Sequence, residues 1–325
     1  MYDIIGQDKI LNKFKNNIKN NKLVHAYILN GEKGQGKKLI SKEVSAMILC
    51  KDEDIDSRPC CKCSSCKKIV SKNHPDLHIF TPSKKEYTVE QLEDIQKIMR
   101  RKPNESKNSV FIFEEGEKLS ISFQNKFLKL LEEPPESVII MILVDNLDRL
   151  LDTTVSRARV INVNRISDDE FKEYMRTQLS NEEDIDFIAS FANGNIGKAM
   201  DLVNDMAFKK LREDVIDMAN AIISKKKTKI IEYLDFFEEN EEFIEDIFDI
   251  MLLWYRDILI YSKTNSEYAL VNRDKYDIIK VEESNISDKN IYLIIEKLEE
   301  TKNRLAHNAN FTNTISDFLV SSSFL

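Results

Sequence analysis

Apolar residues in the first half of the chain follow two rhythms. Short unbroken runs, Ala26-Tyr27-Ile28-Leu29, Val110-Phe111-Ile112-Phe113 and residues 138–144, are bounded by polar positions and have the length of strands buried on both faces. Between them the spacing turns helical: residues 10–18, residues 37–49 with Leu39, Val44, Met47 and Ile48, and a face made of Phe123, Phe127, Leu130 and Leu131 that Pro134-Pro135 closes. Strand alternating with helix predicts a parallel sheet covered by helices. After Val163 the pattern is helix-periodic to the end, which predicts an all-α second half. There Ile244, Ile247, Phe248, Met251, Trp254, Tyr255, Ile258 and Leu259 recur three and four apart, a broad stripe suited to the core of a helical bundle. A break at residues 194–197 divides this half into a small and a larger helical piece.

Bulk composition narrows the class. The chain has 325 residues, 42% of them hydrophobic, enough to bury the cores of two or three domains. No run approaches the roughly 18 apolar residues of a membrane span, and Met1-Tyr2-Asp3 is neither basic nor the start of an apolar run. A cytoplasmic protein without a membrane partner is expected. A net charge of −8 argues against coating nucleic acid by bulk attraction, although a local basic surface inside an assembly stays open. The run Lys225-Lys226-Lys227 reads as a solvated helix connection. Scarce glycine and proline, 7 and 6, fit a helix-rich chain with short connections.

Four of the five cysteines crowd into one segment, Cys60, Cys61, Cys63 and Cys66, with Cys50 just upstream. Cys60, Cys63 and Cys66 form C-x₂-C-x₂-C, and with Cys50 they make the four thiolates that tetrahedral zinc takes. This predicts a structural Zn²⁺ site, with Cys61 either outside it or a competitor for Cys60. His74 and His78 are possible ligands, better explained by solvent-facing or structural roles.

Residues 31–38 read Gly-Glu-Lys-Gly-Gln-Gly-Lys-Lys, the phosphate-loop pattern G-x-x-x-x-G-K placed after a strand and before a helix. Gly31, Gly34 and Gly36 let backbone N–H groups approach phosphate oxygens, and Lys37 adds charge. The next position normally carries a hydroxyl for Mg²⁺. Here it is Lys38, which cannot ligate a metal while protonated. The run 110–113 leads into Glu114-Glu115, where a metal-organising acid and a water-polarising acid would stand. Glu114 is one methylene longer than the usual aspartate, and Glu115 sits at the catalytic place.

Taken together these landmarks resemble the delta-prime and gamma/tau family of bacterial DNA polymerase III clamp-loader subunits, over most of the chain. The resemblance is carried by residues 31–37, the four-cysteine insertion, His74-Pro75-Asp76, Leu130-Leu131-Glu132-Glu133-Pro134-Pro135, Ser156-Arg157 after Thr153-Thr154-Val155, and His307-Asn308-Ala309-Asn310. It implies an α/β AAA+ P-loop domain over 1–165 with the zinc module inserted at about 50–75. A small helical lid over 166–205 and an all-α collar over 206–325 complete the expected fold. It also implies a five-subunit ring with gamma/tau and delta that uses ATP to place a sliding clamp on primed DNA. In such rings an arginine of a Ser-Arg-Cys motif reaches the neighbour's ATP site, and Arg157 is the candidate, followed here by Ala158.

Three departures favour delta-prime over gamma/tau. Lys38 replaces the hydroxyl, the sensor-1 threonine pair falls on Val144-Asp145, and the sensor-2 arginine falls on Gly197, with Lys198 one residue off, about 100° around a helix. The expectation is a stator with a degenerate ATPase site, Glu115 vestigial, ATP or ADP weakly held or not at all, and Arg157 supplied in trans. Two rivals remain: an active gamma/tau-like motor, and a zinc-containing nucleic-acid-binding regulator.

Overall fold

The computed structural model describes residues 2, 4–178, 185–224, 230–307 and 309–324. Met1, Asp3, Lys225-Lys226-Lys227 and Asn308 lie outside them. The chain forms two compact units, residues 1–170 with 195–197, and residues 171–194 with 198–325.

The first unit is built on five parallel strands, β1 (Ala26–Asn30), β2 (Leu77–Phe80), β3 (Ser109–Phe113), β4 (Val138–Val144) and β5 (Arg159–Asn162), in the order β2-β3-β4-β1-β5. The three predicted strands occupy the centre and are buried along almost their whole length. Backbone pairing with no open edge and cover on both faces explains why they read as solid apolar runs. The edge strands β2 and β5 carry His78, Arg159 and Asn162, and their mixed pattern gave no strand signal.

Side chains alternate along β4. Ile139, Met141 and Leu143 join Phe14, Val44, Met47 and Ile69 on one face, beneath helices α1 (Asp8–Lys19), α2 (Lys37–Leu49) and α3 (Ser64–Val70). Val138, Ile140, Ile142 and Val144 turn to the other face. There they meet Leu92 and Ile95 of α4 (Val89–Met99) and Phe123 and Phe127 of α5 (Ile121–Glu132). Because β4 lies between β1 and β3, the loops leaving all three emerge along one edge of the sheet. That edge collects residues 31–36, Glu114-Glu115 and Asp145, the usual place for a ligand in an open parallel sheet.

A short helix α6 (Asp152–Val155) precedes β5, and α7 (Asp168–Gln178), α8 (Ile185–Ala192) and α9 (Ile196–Asn204) follow it. The break at 194–197 lies between α8 and α9, with Gly197 just inside α9. The rest is helical, as expected: α10 (Met206–Ile223), α11 (Ile230–Glu239), α12 (Ile244–Thr264), α13 (Tyr276–Asn285), α14 (Asp288–Ala306) and α15 (Phe311–Ser322). In the second unit α12 packs against α10, α13 and α14. The middle of its apolar stripe, Ile247 to Ile258, is buried, and Trp254 and Tyr255 hydrogen-bond to Asn220 and the Ala219 carbonyl of α10. Ile244 and Leu259, at the stripe's ends, are half-buried. No helix among the described residues is long and apolar enough to cross a membrane.

Phe127 is fully buried, its ring 5.2 Å from that of Phe113 and 5.5 Å from that of Phe123. Phe127→Ala is expected to cost about 3–5 kcal/mol of stability. Denaturant unfolding of the two proteins measures it, and a loss under about 1 kcal/mol would contradict the packing described.

Candidate functional site

The loop after β1 turns on two glycines in the left-handed region, Gly34 at φ +90° and Gly36 at φ +84°, the latter capping α2. L side chains rarely adopt that conformation, so this turn depends on them. Gly36, Lys37 and Lys38, at the start of α2, line a cavity, and a helix start with its free N–H groups suits an anion.

Lys37 is the first residue of α2, yet its side chain folds back and is only 8% exposed. Its ammonium donates to the Gly31 carbonyl, to the Glu32 carbonyl at 2.8 Å and to Asp145 Oδ1 at 2.7 Å. An ammonium has three N–H donors, and each has an acceptor inside the chain. Lys38 Nζ lies 2.7 Å from Glu114 Oε2, and that carboxylate is nearly buried. Glu114 is itself held by its N–H to the Phe80 carbonyl, and Tyr87 Oη lies 2.6 Å from its own carbonyl oxygen. Glu115 adopts a left-handed backbone, φ +53°, and turns its carboxylate to Lys118. A cavity of about 470 Å³ lies among Gly34, Gly36, Lys37, Lys38, Glu115 and Asp145.

Residues 195–197 pack directly on this loop. The buried Asn195 amide donates to the Lys33 carbonyl, and the Gly197 N–H donates to the Gly34 carbonyl at 3.2 Å. A Cβ on Gly197 would stand 2.8 Å from Gly34 Cα, so backbone touches backbone here. Lys198 is engaged in the second unit, 3.3 Å from Asp246 Oδ1 and 4.1 Å above the Phe191 ring.

Cys50, Cys60, Cys63 and Cys66 come together, their sulfurs all within 4.8 Å of one another and Cys50 Sγ 3.9 Å from Cys63 Sγ. Four thiolates at about 2.3 Å from a tetrahedral zinc would be spaced similarly, and the all-sulfur donor set suits that ion. The Cys63 N–H points at Cys60 Sγ and the Cys66 N–H at Cys63 Sγ, both at 3.4 Å. Burial opposes ionisation of Cys63, but the N–H groups of Cys66 and Lys51 and the neighbouring thiols outweigh it and hold its pKa at about 6. Burial pushes the Cys50 and Cys66 thiols up.

Cys61 stands outside the cluster: it is exposed, with φ +58° and its thiol turned to the Pro59 carbonyl. Neither histidine joins the cluster. His74 Nδ1 accepts the Asp76 N–H, so Nε2 carries the proton and donates to Ser65 Oγ at 2.7 Å. Ser65 in turn donates to the Leu49 carbonyl at 2.6 Å. That chain ties together the residues next to Cys50 and Cys66. Asp76 accepts N–H groups from Asn104, Glu105 and Ser106, which outweigh burial and lower its pKa. His78 stacks on Phe111 at 4.7 Å.

Arg157 lies away from both sites. It is one-third exposed and bound to Glu132, with Nε 2.8 Å from Oε1, while Nη1 donates to the Thr153 carbonyl at 2.8 Å. The pairing of Lys37 with Asp145, of Lys38 with Glu114 and of Arg157 with Glu132, and the contact of Asn195 with the loop, carry no local sequence signal. They become visible only once the strand order is known.

The family described as DNA polymerase III, delta subunit, matches residues 6–167, and DNA polymerase III, delta subunit, C terminal, matches residues 206–315. The chain is 26% identical to DNA polymerase III subunit delta' of Bacillus subtilis (strain 168), over 94% of this chain and 92% of that protein. It is 25% identical to subunit tau of the same organism, over 85% of this chain and 52% of tau. Among solved structures, a DNA polymerase III gamma subunit-related protein from Thermotoga maritima aligns over 97% of this chain and 98% of that one. The TM-score is 0.44 at 16% identity.

Two outcomes follow from the geometry. Elemental analysis of the purified protein is expected to give about one zinc per chain, and Cys63→Ser to lose most of it; full retention by the variant would contradict the ligand set. Gly197→Ala forces its Cβ onto Gly34 and should lower stability by about 1–3 kcal/mol. An unchanged melting temperature would show that the loop yields freely.

Proposed function

This chain belongs to the family of bacterial DNA polymerase III delta-prime and gamma/tau subunits, and from that premise we propose that it is a clamp-loader subunit of the delta-prime kind. It has given up ATP hydrolysis and lends Arg157 to a neighbouring subunit. The observation that carries this reading is the pairing of both phosphate-loop lysines with carboxylates of their own chain.

Hydrolysis at such a loop needs a free lysine to meet the β- and γ-phosphates, a hydroxyl and an acid for Mg²⁺, and an acid to polarise water. Lys37 has its three donors engaged by Gly31, Glu32 and Asp145. Lys38 sets a positive charge against Glu114, where the divalent ion would stand, and brings no oxygen to ligate one. Glu115 is drawn to Lys118, and Gly197 offers backbone instead of an arginine. Each change alone weakens catalysis. Together they leave a loop whose charges are balanced without nucleotide.

Arg157 retains what a donated cation requires: partial exposure, a backbone set by α6, and a guanidinium. In the proposed ring it faces the ATP of a neighbouring subunit and stabilises charge on the transferring phosphoryl group. Zinc, held by Cys50, Cys60, Cys63 and Cys66, would cross-link the end of α2 to α3 and stiffen the insertion. We assign residues 1–165 to the AAA+ module, 166–205 to the lid and 206–325 to the collar that joins gamma/tau and delta. Clamp and primed DNA are met through the whole assembly, in the cytoplasm.

Reconstitution of the loader with wild-type chain and with Arg157→Ala tests this reading. The variant is expected to assemble but to lose clamp loading and DNA-stimulated ATP hydrolysis by roughly 10-fold or more. Undiminished activity would refute the in-trans role.

A further inference from the structure

We propose that Glu132 is the positioning residue for Arg157, gripping one edge of the guanidinium so that its end is presented to a phosphate oxygen of a neighbouring subunit's nucleotide. The proposal rests on the in-trans role given to Arg157 above. It concerns how that side chain is aimed.

Pro134 and Pro135 stop α5, because a proline cannot continue the hydrogen-bond ladder and restricts the residue before it. Glu132 is thereby the last residue of the helix. A carboxylate there meets the negative end of the helix dipole, an unfavourable placement unless a cation offsets it. Arg157 supplies the cation. Its Nε and Nη2 lie 2.8 and 2.5 Å from the same oxygen, Glu132 Oε1, and its Nη1 donates to the Thr153 carbonyl at 2.8 Å.

A guanidinium has five N–H groups. Among the described residues these contacts use one on each nitrogen, leaving one on Nη1 and one on Nη2. Both belong to the two terminal nitrogens, from which arginine donates to phosphate oxygens. Both carriers are anchored: Gln124 of α5, 1% exposed, accepts the Leu151 N–H at 2.8 Å and donates to the Leu119 carbonyl at 2.9 Å. The guanidinium borders a concavity of about 580 Å³ formed with Pro134, Pro135, Glu136, Ser156 and Arg159. An ion pair this exposed contributes little to folding stability, so its value lies in orientation.

The test uses the reconstituted loader carrying Glu132→Ala, Glu132→Gln, Arg157→Ala or the double variant Glu132→Ala/Arg157→Ala. Glu132→Ala is expected to lower kcat for DNA-stimulated ATP hydrolysis roughly 3–10-fold, with KM for ATP and the melting temperature of the chain unchanged. Glu132→Gln, which keeps an acceptor oxygen without the charge, should fall between it and wild type. In the Arg157→Ala background the loss of Glu132 should do nothing more. If Glu132→Ala leaves kcat intact while Arg157→Ala lowers it, the positioning role is overturned and the in-trans role stands. If Glu132→Ala lowers kcat equally in both backgrounds, it acts elsewhere and the proposal fails. If Arg157→Ala is itself without effect, both readings fall.

Discussion

The balance of charge at the end of β1, β3 and β4 is the constraint on which the rest depends. Strand order brings two lysines from one loop against carboxylates from two others, Lys37 to Asp145 and Lys38 to Glu114. A phosphate loop is normally an unfinished electrostatic structure, completed by nucleotide and metal. Here both lysines meet carboxylates of their own chain. Asp145, standing where the resemblance leads one to expect a threonine, is therefore an active part of the arrangement: it removes the last donor of Lys37.

The same economy of polar groups runs through the insertion after α2. Four cysteines converge from a helix end, a loop and a helix start, and the Ser65–His74–Asp76 chain holds the residues beside them. His74-Pro75-Asp76, conspicuous as a motif, thus acts on backbone. It links the base of the insertion to residues 104–106 through N–H groups that close on the Asp76 carboxylate.

How much was legible from sequence follows the physics of each element. β1, β3 and β4 could be read because burial on both faces demands unbroken apolar runs, and α2 could be read to its ends because a glycine loop opens it. β2 and β5 could not, since edge strands of four residues with one polar side have no periodicity to show. The four clustered cysteines were legible by spacing, while the exclusion of Cys61 needed its left-handed backbone. Arg157 was singled out by its motif, and its proposed role awaits the reconstitution test. Its partner Glu132 was in plain sight within Leu130-Leu131-Glu132-Glu133-Pro134-Pro135, but pairing across 25 residues depends on how α5 meets α6.

Whether the phosphate loop is closed to chemistry separates a stator from a motor. Calorimetric titration of Mg-ATP onto the full chain, followed by phosphate release, measures this directly. No turnover is expected, and no magnesium-dependent binding tighter than about 1 mM. Steady hydrolysis by the chain alone, abolished by Lys37→Ala, would contradict it.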